Sequence, residues 1–329
     1  PVDITVKPNT FNGQWINFNQ DLPYTIHRRV TNDAITAQRG QLLMLHAAGL
    51  GHQGKAIALA APSGTGKTTA ARVLGQHFAY LTDETFALTP TGTVVAHPKP
   101  LSICSDRGER IKDGLSPREA HLRLPTGNYQ MHAAVILQRT ETHQGPARLE
   151  KLDPIEAISQ LIAQTSSLLA LPTPLATLVE LTCRTDGPYV LHYRDIGDAI
   201  GVLHELFAKD TTPPTIAYES FGPGQLEWHV DLQREPSVLR DKDHPRVVQH
   251  PWIDAARIGN ATIVFAGTQA TILQPLGASL WHEAKTPTTL AALTARAIAD
   301  WGDHPEAPAR VEDAVDQLID TGVLTAVDE

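Results

Sequence analysis

Apolar and polar positions change period several times along the chain, and each change predicts an element. Ala56–Ala60 has no polar interruption and predicts a buried strand; Ala61–Thr68, with Gly64 and Gly66, predicts a turn; Thr69–Leu74 opens a helix. Gln41–Leu50 is a second apolar segment, carrying His46, directly ahead of that strand. Beyond Glu84, strand patterns recur at Phe86–Leu88, Val94–Ala96 and Ala133–Leu137. Residues 1–40 alternate weakly, as in Asp3-Ile4-Thr5-Val6 and Trp15-Ile16-Asn17-Phe18, and read as short strands at a sheet edge.

Helical periods follow. Asp153-Pro154-Ile155-Glu156 places a cap, a proline at the first helical position and a carboxylate at the third, with Ile155, Ile158 and Ile162 on one face. Asp195 is positioned to cap a helix with the stripe Ile196, Ile200, Leu203 and Phe207. The pattern stops at Asp210–Thr215, a first boundary, and the polar stretch Gln233–His250 is a second. From Ala255 a compact unit begins: strands at Ala261–Phe265 and Ala270–Leu273 about a turn at Gly267, then three helical stretches. One of these is expected to start at Thr286-Pro287, with Leu290, Leu293 and Ile298 behind it. The last carries Val311, Ala314, Val315, Leu318 and Ile319 and stops at Gly322. Two strands and three helices in so short a span suggest a small winged-helix-like α+β domain. The expected organisation is a domain at 1–212, a connecting segment at 213–246 and a second domain at 247–329.

A composition that is 42% hydrophobic and 19% charged belongs to a folded protein that can bury full cores. No apolar run approaches the ~18 residues that read as a membrane span, since Leu168–Leu181 is broken by Pro172 and Pro174. The N-terminal stretch lacks a signal-peptide core. Cys104 and Cys183 have no ligand-like spacing, which supports neither a disulfide framework nor a zinc site and fits a reducing compartment. Together these predict a cytoplasmic protein with no membrane partner. The net charge is −9, and residues 250–329 hold four basic side chains against eleven acidic ones, so −7 of it lies there. An acidic C-terminal domain argues against nucleic acid, whose phosphates supply most protein affinity.

The chemistry concentrates between residues 46 and 84. Ala61, four residues, then Gly66-Lys67-Thr68 is the spacing of a phosphate-binding loop, set between a strand and a helix as that loop requires. Its glycines let successive N–H groups turn inward, and the helix behind directs its positive end at the same anion. Lys67 then reaches the terminal phosphates and the Thr68 hydroxyl a Mg²⁺ ion. Asp83 and Glu84 follow by about one helix and one strand, which places a strand-end carboxylate beside the phosphates. In strand geometry the two would face opposite sides unless the chain is already turning. His46 reads by itself as a hydrogen-bonded histidine in an apolar strand. His97-Pro98-Lys99-Pro100, Arg107, Arg110 and Lys112 read as a solvated basic loop with the capacity to touch a phosphoryl group.

The order His46, Ala61-Pro62-Ser63-Gly64-Thr65-Gly66-Lys67-Thr68, then Thr82-Asp83-Glu84 resembles the HPr kinase and phosphoenolpyruvate carboxykinase-like fold, particularly peptide-tailoring kinases of ribosomal natural-product pathways. The segment 247–324, with Leu273–Trp281 and the closing Asp316–Leu324, resembles PqqD-like leader-peptide-binding domains. The resemblance implies an α/β mixed-sheet kinase domain using ATP and Mg²⁺. Ser63, Gly64, Thr65, Gly66, Lys67, Thr68 and Thr69 would contact the nucleotide, Thr68 and Asp83 the metal, and Asp83, Glu84, His46 and Lys67 would form the catalytic set. It implies a precursor peptide as partner, with phosphate placed on a Ser or Thr hydroxyl. A small-molecule kinase and a non-catalytic nucleotide-dependent peptide adaptor are the alternatives, and a homo-oligomer is left open. Two departures stand out: the acidic pair is Asp-Glu where many relatives carry two aspartates, and the downstream glycine-rich signature of true HPr kinases is missing.

Overall fold

The structure is a computed structural model, which describes residues 22–104, 112–185, 187–212, 216–226, 246–267 and 269–327. Its elements up to the helix behind the glycine-bearing loop are α1 (Leu22–Ala37), β1 (Leu43–Leu45), β2 (Ala47–His52), β3 (Lys55–Ala60) and α2 (Lys67–Leu74). There follow β4 (Ala79–Thr82), β5 (Phe86–Leu88), β6 (Val94–Val95), β7 (Leu101–Cys104), β8 (Lys112–Leu115), β9 (Gln130–Arg139) and β10 (Arg148–Lys151). Next come α3 (Pro154–Ile162), β11 (Thr165–Ser166), α4 (Pro174–Thr182), β12 (Tyr189–Tyr193), α5 (Ile200–Ala208) and β13 (Tyr218–Ser220). The remainder is β14 (Arg246–Gln249), β15 (Asp254–Ile258), β16 (Ala261–Phe265), β17 (Thr271–Leu273), α6 (Pro275–Glu283), β18 (Thr288–Thr289), α7 (Leu290–Trp301), α8 (Ala307–Asp320) and β19 (Leu324–Val327). The chain is thus mixed α/β. It forms two compact units, Pro1–Glu150 with Val190–Lys209, and Lys151–Tyr189 with Asp210–Glu329.

The first unit is built on a six-stranded mixed sheet in the order β10-β12-β9-β3-β2-β4. β3 runs parallel to β9 and antiparallel to β2, and β2 is antiparallel to β4 as well. The continuous apolar pattern of β3 is explained by its central place, with Ala56 to Ala60 all buried. Glycines in β2 let rings approach its backbone: a Cβ on Gly49 would stand 2.5 Å from Phe86, and one on Gly51 2.5 Å from Tyr129. Helix α5 is fastened by its carbonyl end, where the Lys55 ammonium donates to the carbonyls of Phe207 and Lys209 and the His132 ring donates to that of Leu206. Asp195 does cap a helical start, accepting from the Gly197 amide, but the first turn is 3₁₀ and α5 proper begins at Ile200.

Two local expectations are corrected in the described residues. Residues 22–37 form a helix where weak alternation suggested strands; residues 1–21 lie outside the described residues. A 3.6-residue period suits this stretch better, because Thr31 and Ile35 share a face, Ile35 packs on Leu42, Met44 and Ala87, and Arg29 pairs with Asp33 one turn on at 2.9 Å. In the C-terminal part, helix α7 begins at Leu290 rather than after Thr286. Thr289 caps it by accepting from the Ala292 amide, and the residues ahead are drawn off as β18 to pair with β14.

The second unit holds two small sheets, β13-β15-β16-β17 and β18-β14-β19. Strand β14 occupies the end of the polar stretch expected to connect domains; residues 227–245 lie outside the described residues. Trp252, Trp281, Leu280, Leu293, Val311, Val315 and Leu318 belong to one core with β15 and β16, and Ala314 and Ile319 of α8, partly buried, pack against it as the stripe's spacing predicts. Helix α3 starts as expected, Asp153 accepting from the amides of Ile155 and Glu156. Helix α4 is capped differently. Thr173 makes no side-chain cap bond, and the Leu175 amide donates at 2.7 Å to Oδ2 of Asp254, 79 residues away.

Asp254 is wholly buried, its Oδ1 has no hydrogen-bond partner, and a Cβ on Gly222 would lie 1.9 Å from that oxygen. Burial raises its pKa from 3.8 to about 6, against the pull of the Leu175 and Ala255 amides. A carboxyl that holds its proton more tightly when folded adds stability below its unfolded pKa and loses that addition as pH rises through the folded one. Between pH ~4 and ~7 the wild type should therefore lose on the order of 2–3 kcal/mol relative to Asp254→Asn. Denaturant melts of both proteins across that range check this; parallel curves would show that Asp254 does not titrate there.

Candidate functional site

Three sequence-predicted features meet at one edge of the large sheet, and strand direction is the reason. Since β3 and β4 are both antiparallel to β2, their C-terminal ends and the N-terminal end of β2 coincide there. The loop 61–66 leaves β3, Asp83 and Glu84 leave β4, and His46 sits at the bend that enters β2.

The loop has the backbone its glycines allow. Gly64 (φ 83°) and Gly66 (φ 101°) are left-handed, and a Cβ at either would meet nothing within 4 Å, so the angle and not the space calls for glycine. Thr65 closes the turn through its hydroxyl, which donates to the Pro62 carbonyl at 2.7 Å, while Ser63 and Gly64 are exposed. Helix α2 starts at Lys67 with no side-chain cap. Its first amides have no partners within the helix and are free to bind an anion. Thr69 lies exposed on this first turn. Lys67 is buried and curls back on the loop, donating to the carbonyls of Ala61 (2.6 Å) and Pro62 (3.2 Å). Burial lowers its pKa, and the Glu84 carboxylate partly offsets this.

The acidic pair lies on a bend, the case in which the two carboxylates need not face opposite sides, and both reach the same cation. The Lys99 ammonium stands 3.0 Å from Asp83 Oδ1 and 3.1 Å from Glu84 Oε2. Asp83 is buried, whereas the Glu84 side chain is 44% exposed. The Tyr80 hydroxyl lies 3.2 Å from Asp83 Oδ1 and 2.9 Å from the Lys99 carbonyl, sharing one proton between them. Burial, with Asp83 next, holds the Tyr80 phenol far above its ordinary pKa. The other Asp83 oxygen, Oδ2, accepts from the Thr68 hydroxyl at 3.4 Å. Side by side, the Thr68 hydroxyl and the Asp83 carboxylate are hard oxygen donors of the kind that would hold a Mg²⁺ ion. Among the described residues no group of three or more His, Cys, Asp or Glu could hold a metal.

His46 is half-buried. Burial lowers its pKa, and Lys67 lowers it further; Glu84, through charge and a backbone hydrogen bond, and Asp83 oppose this. The net depression leaves the ring neutral at pH 7.

The basic-loop expectation is corrected at Lys99, which is buried at 7% exposure. Burial opposes its charge, but Asp83 and Glu84 outweigh it and hold the ammonium above its usual pKa. Pro98 and Pro100 stiffen the chain on either side, and the His97 amide donates to the Leu81 carbonyl at 2.9 Å, which fastens the segment beside β4. A lysine between two prolines, followed by an apolar strand, was the available signal; Tyr80 offered none. Arg107 and Arg110 lie outside the described residues, and Lys112 falls on β8.

No protein-family model and no curated protein sequence matches the chain. Among solved structures it is similar to the Hpr(Ser) kinase/phosphatase from Coxiella burnetii, with 11% identity and a TM-score of 0.25, covering 50% of this chain and 97% of that one. So low a score carries no weight for function, which has to be read from the chain's own geometry. No helix among the described residues is long and apolar enough to cross a membrane.

The charges around His46 make an experimental statement. Lys67→Ala should move its titration midpoint upward and Glu84→Gln should move it further downward. NMR of the histidine side chains against pH reads both, and a midpoint indifferent to both changes would place His46 outside the field of this site.

Proposed function

We propose that the chain is an ATP-dependent, Mg²⁺-requiring kinase that phosphorylates a Ser or Thr hydroxyl of a ribosomally made precursor peptide recruited by its C-terminal part. The observation that carries the kinase half is the 3.4 Å approach of the Thr68 hydroxyl to Asp83 Oδ2. It joins the helix behind a glycine-bearing anion loop to a buried strand-end carboxylate, which is the pairing phosphoryl transfer needs.

Each residue then has a task. The loop amides from Ser63 to Thr69 cradle phosphate oxygens, and the Lys67 ammonium exchanges the Ala61 and Pro62 carbonyls for the terminal phosphate. Thr68 and Asp83 would hold the Mg²⁺, whose charge, when bound, offsets that of the phosphates. Glu84, partly exposed beside the metal-binding carboxylate, takes the proton of the acceptor hydroxyl as its oxygen bonds to phosphorus and the bond from phosphorus to the ADP oxygen breaks. His46, neutral and hydrogen-bonded to the Glu84 backbone, positions that carboxylate.

Support for the peptide half comes from the second unit, read as winged-helix-like. β17 ends the sheet order β13-β15-β16-β17, and an edge strand is where an extended peptide adds by main-chain hydrogen bonds. The same unit has a cavity of about 750 Å³, lined by Arg257, Asn260, Ser279, His282, Arg296 and Trp301. Trp301 is 55% exposed, a large ring at hand for a peptide side chain. Recruitment raises the local concentration of the acceptor, so the catalytic groove needs little affinity of its own. The acidic balance of residues 250–329 favours a peptide over nucleic acid, and the buried free thiol of Cys183 suits the cytoplasm.

The deciding experiment incubates the full chain with ATP and a candidate precursor and seeks phosphate on the peptide by mass spectrometry. Lys67→Ala should abolish transfer and weaken Mg–ATP binding in calorimetry; unchanged turnover would sink the kinase reading. Asp83→Asn should cut turnover ~100-fold or more and raise the Mg²⁺ requirement, while Glu84→Gln cuts turnover with that requirement unchanged. Ile272→Pro should weaken peptide binding at the β17 edge without touching ATP affinity. ATP consumption with no phosphorylated peptide would point instead to a small-molecule acceptor.

A further inference from the structure

Lys99 takes no part in the phosphoryl-transfer scheme, yet it is tightly constrained at the site. It is buried, held between Pro98 and Pro100, and in contact with both members of the acidic pair. A structural account covers part of this, since a buried Asp83 without a counter-charge would be costly. It does not explain why the ammonium also spans to the half-exposed Glu84. Nor does it explain the division of Asp83, with Oδ1 taken by Lys99 and Tyr80 and Oδ2 turned towards the Thr68 hydroxyl.

We propose that Lys99 is a positioning residue that competes with the divalent cation for the Asp83 carboxylate, so that the site takes a metal only together with the phosphates of its nucleotide. The inference rests on the nucleotide-site reading. The ammonium neutralises the pair in the free chain and pins the carboxylate with one oxygen aimed at Thr68. A bare divalent ion arriving at Oδ2 meets a fixed positive charge on the other oxygen of the same carboxylate, and a second, Lys67, on the loop. Nucleotide phosphates add enough negative charge to overcome both. Tight binding of the metal alone is suppressed, and the geometry is ready when the metal arrives with its phosphates.

The test uses the full chain and Mn²⁺ as the probe, titrated without nucleotide by electron paramagnetic resonance or calorimetry. Lys99→Met should bind Mn²⁺ at least about tenfold more tightly than wild type, a change of ~1.4 kcal/mol, while its phosphoryl transfer falls. Lys99→Arg should keep the weak, wild-type Mn²⁺ affinity. A merely structural lysine would leave metal affinity unchanged or lower it on removal, and either result overturns the proposal. Should Lys99→Met fail to fold, the double variant Lys99→Met with Glu84→Gln removes one charge of each sign, and it should bind Mn²⁺ more tightly than Glu84→Gln alone; equal affinity overturns the proposal. Mg–ATP calorimetry on the wild type keeps the two ideas apart. Absence of nucleotide binding there defeats the underlying reading, whereas nucleotide binding with no Mn²⁺ tightening in Lys99→Met defeats only the role of Lys99.

Discussion

The pairing of β2 with both β3 and β4 is the constraint on which the first unit depends. One strand, antiparallel to each neighbour, forces the ends of two others to finish on the same side while its own entry bend begins there. Three short stretches separated in sequence become one site with no long-range contact between their side chains needed to align them. Gly49 and Gly51 keep that strand close to the rings of Phe86 and Tyr129, so the alignment depends on positions with no side chain of their own. Between Gly49 and Leu50 the register of β2 against β4 shifts. Such irregularity is a common way for a sheet to redirect the side chains beyond it.

The electrostatics of the site are economical. Lys67, Lys99 and Asp83 are all buried, and burial of each charge is tolerable only because another group or a backbone carbonyl meets it. Two lysines respond in opposite directions to similar surroundings. Lys67, donating to two backbone carbonyls, has its pKa lowered by burial; Lys99, gripped by two carboxylates, has its pKa raised.

Much of this was legible in the chain. The apolar run of β3 and the glycine spacing of the loop could be read because both are local: a burial pattern and a backbone angle. The caps at Asp153 and Asp195 were readable for the same reason, each serving an amide within three residues. What stayed hidden is non-local. No period in the sequence announces that Lys99 folds back on Asp83, because the contact is set by the tie of His97 to Leu81. Residues 22–37 misled because polar residues surround a narrow apolar face, so weak alternation and a weak helical stripe look alike until Leu42 and Met44 supply the surface to be covered. Thr286-Pro287 has the chemistry of a helix start, but β14 offered the next residues a ladder, and tertiary pairing won over local preference.

Asp254 bears on how such a chain can be divided by genetic exchange. The amide end of α4 finds its acceptor 79 residues downstream, on β15, in place of a cap from its own flank. A crossover that carried β15–β17 into another protein without Pro174–Thr182 would strand a buried carboxylate in the transferred piece and leave an uncapped helix behind. Recombination should therefore inherit the two segments together, although the strand β12 and the helix α5 lie between them in the gene.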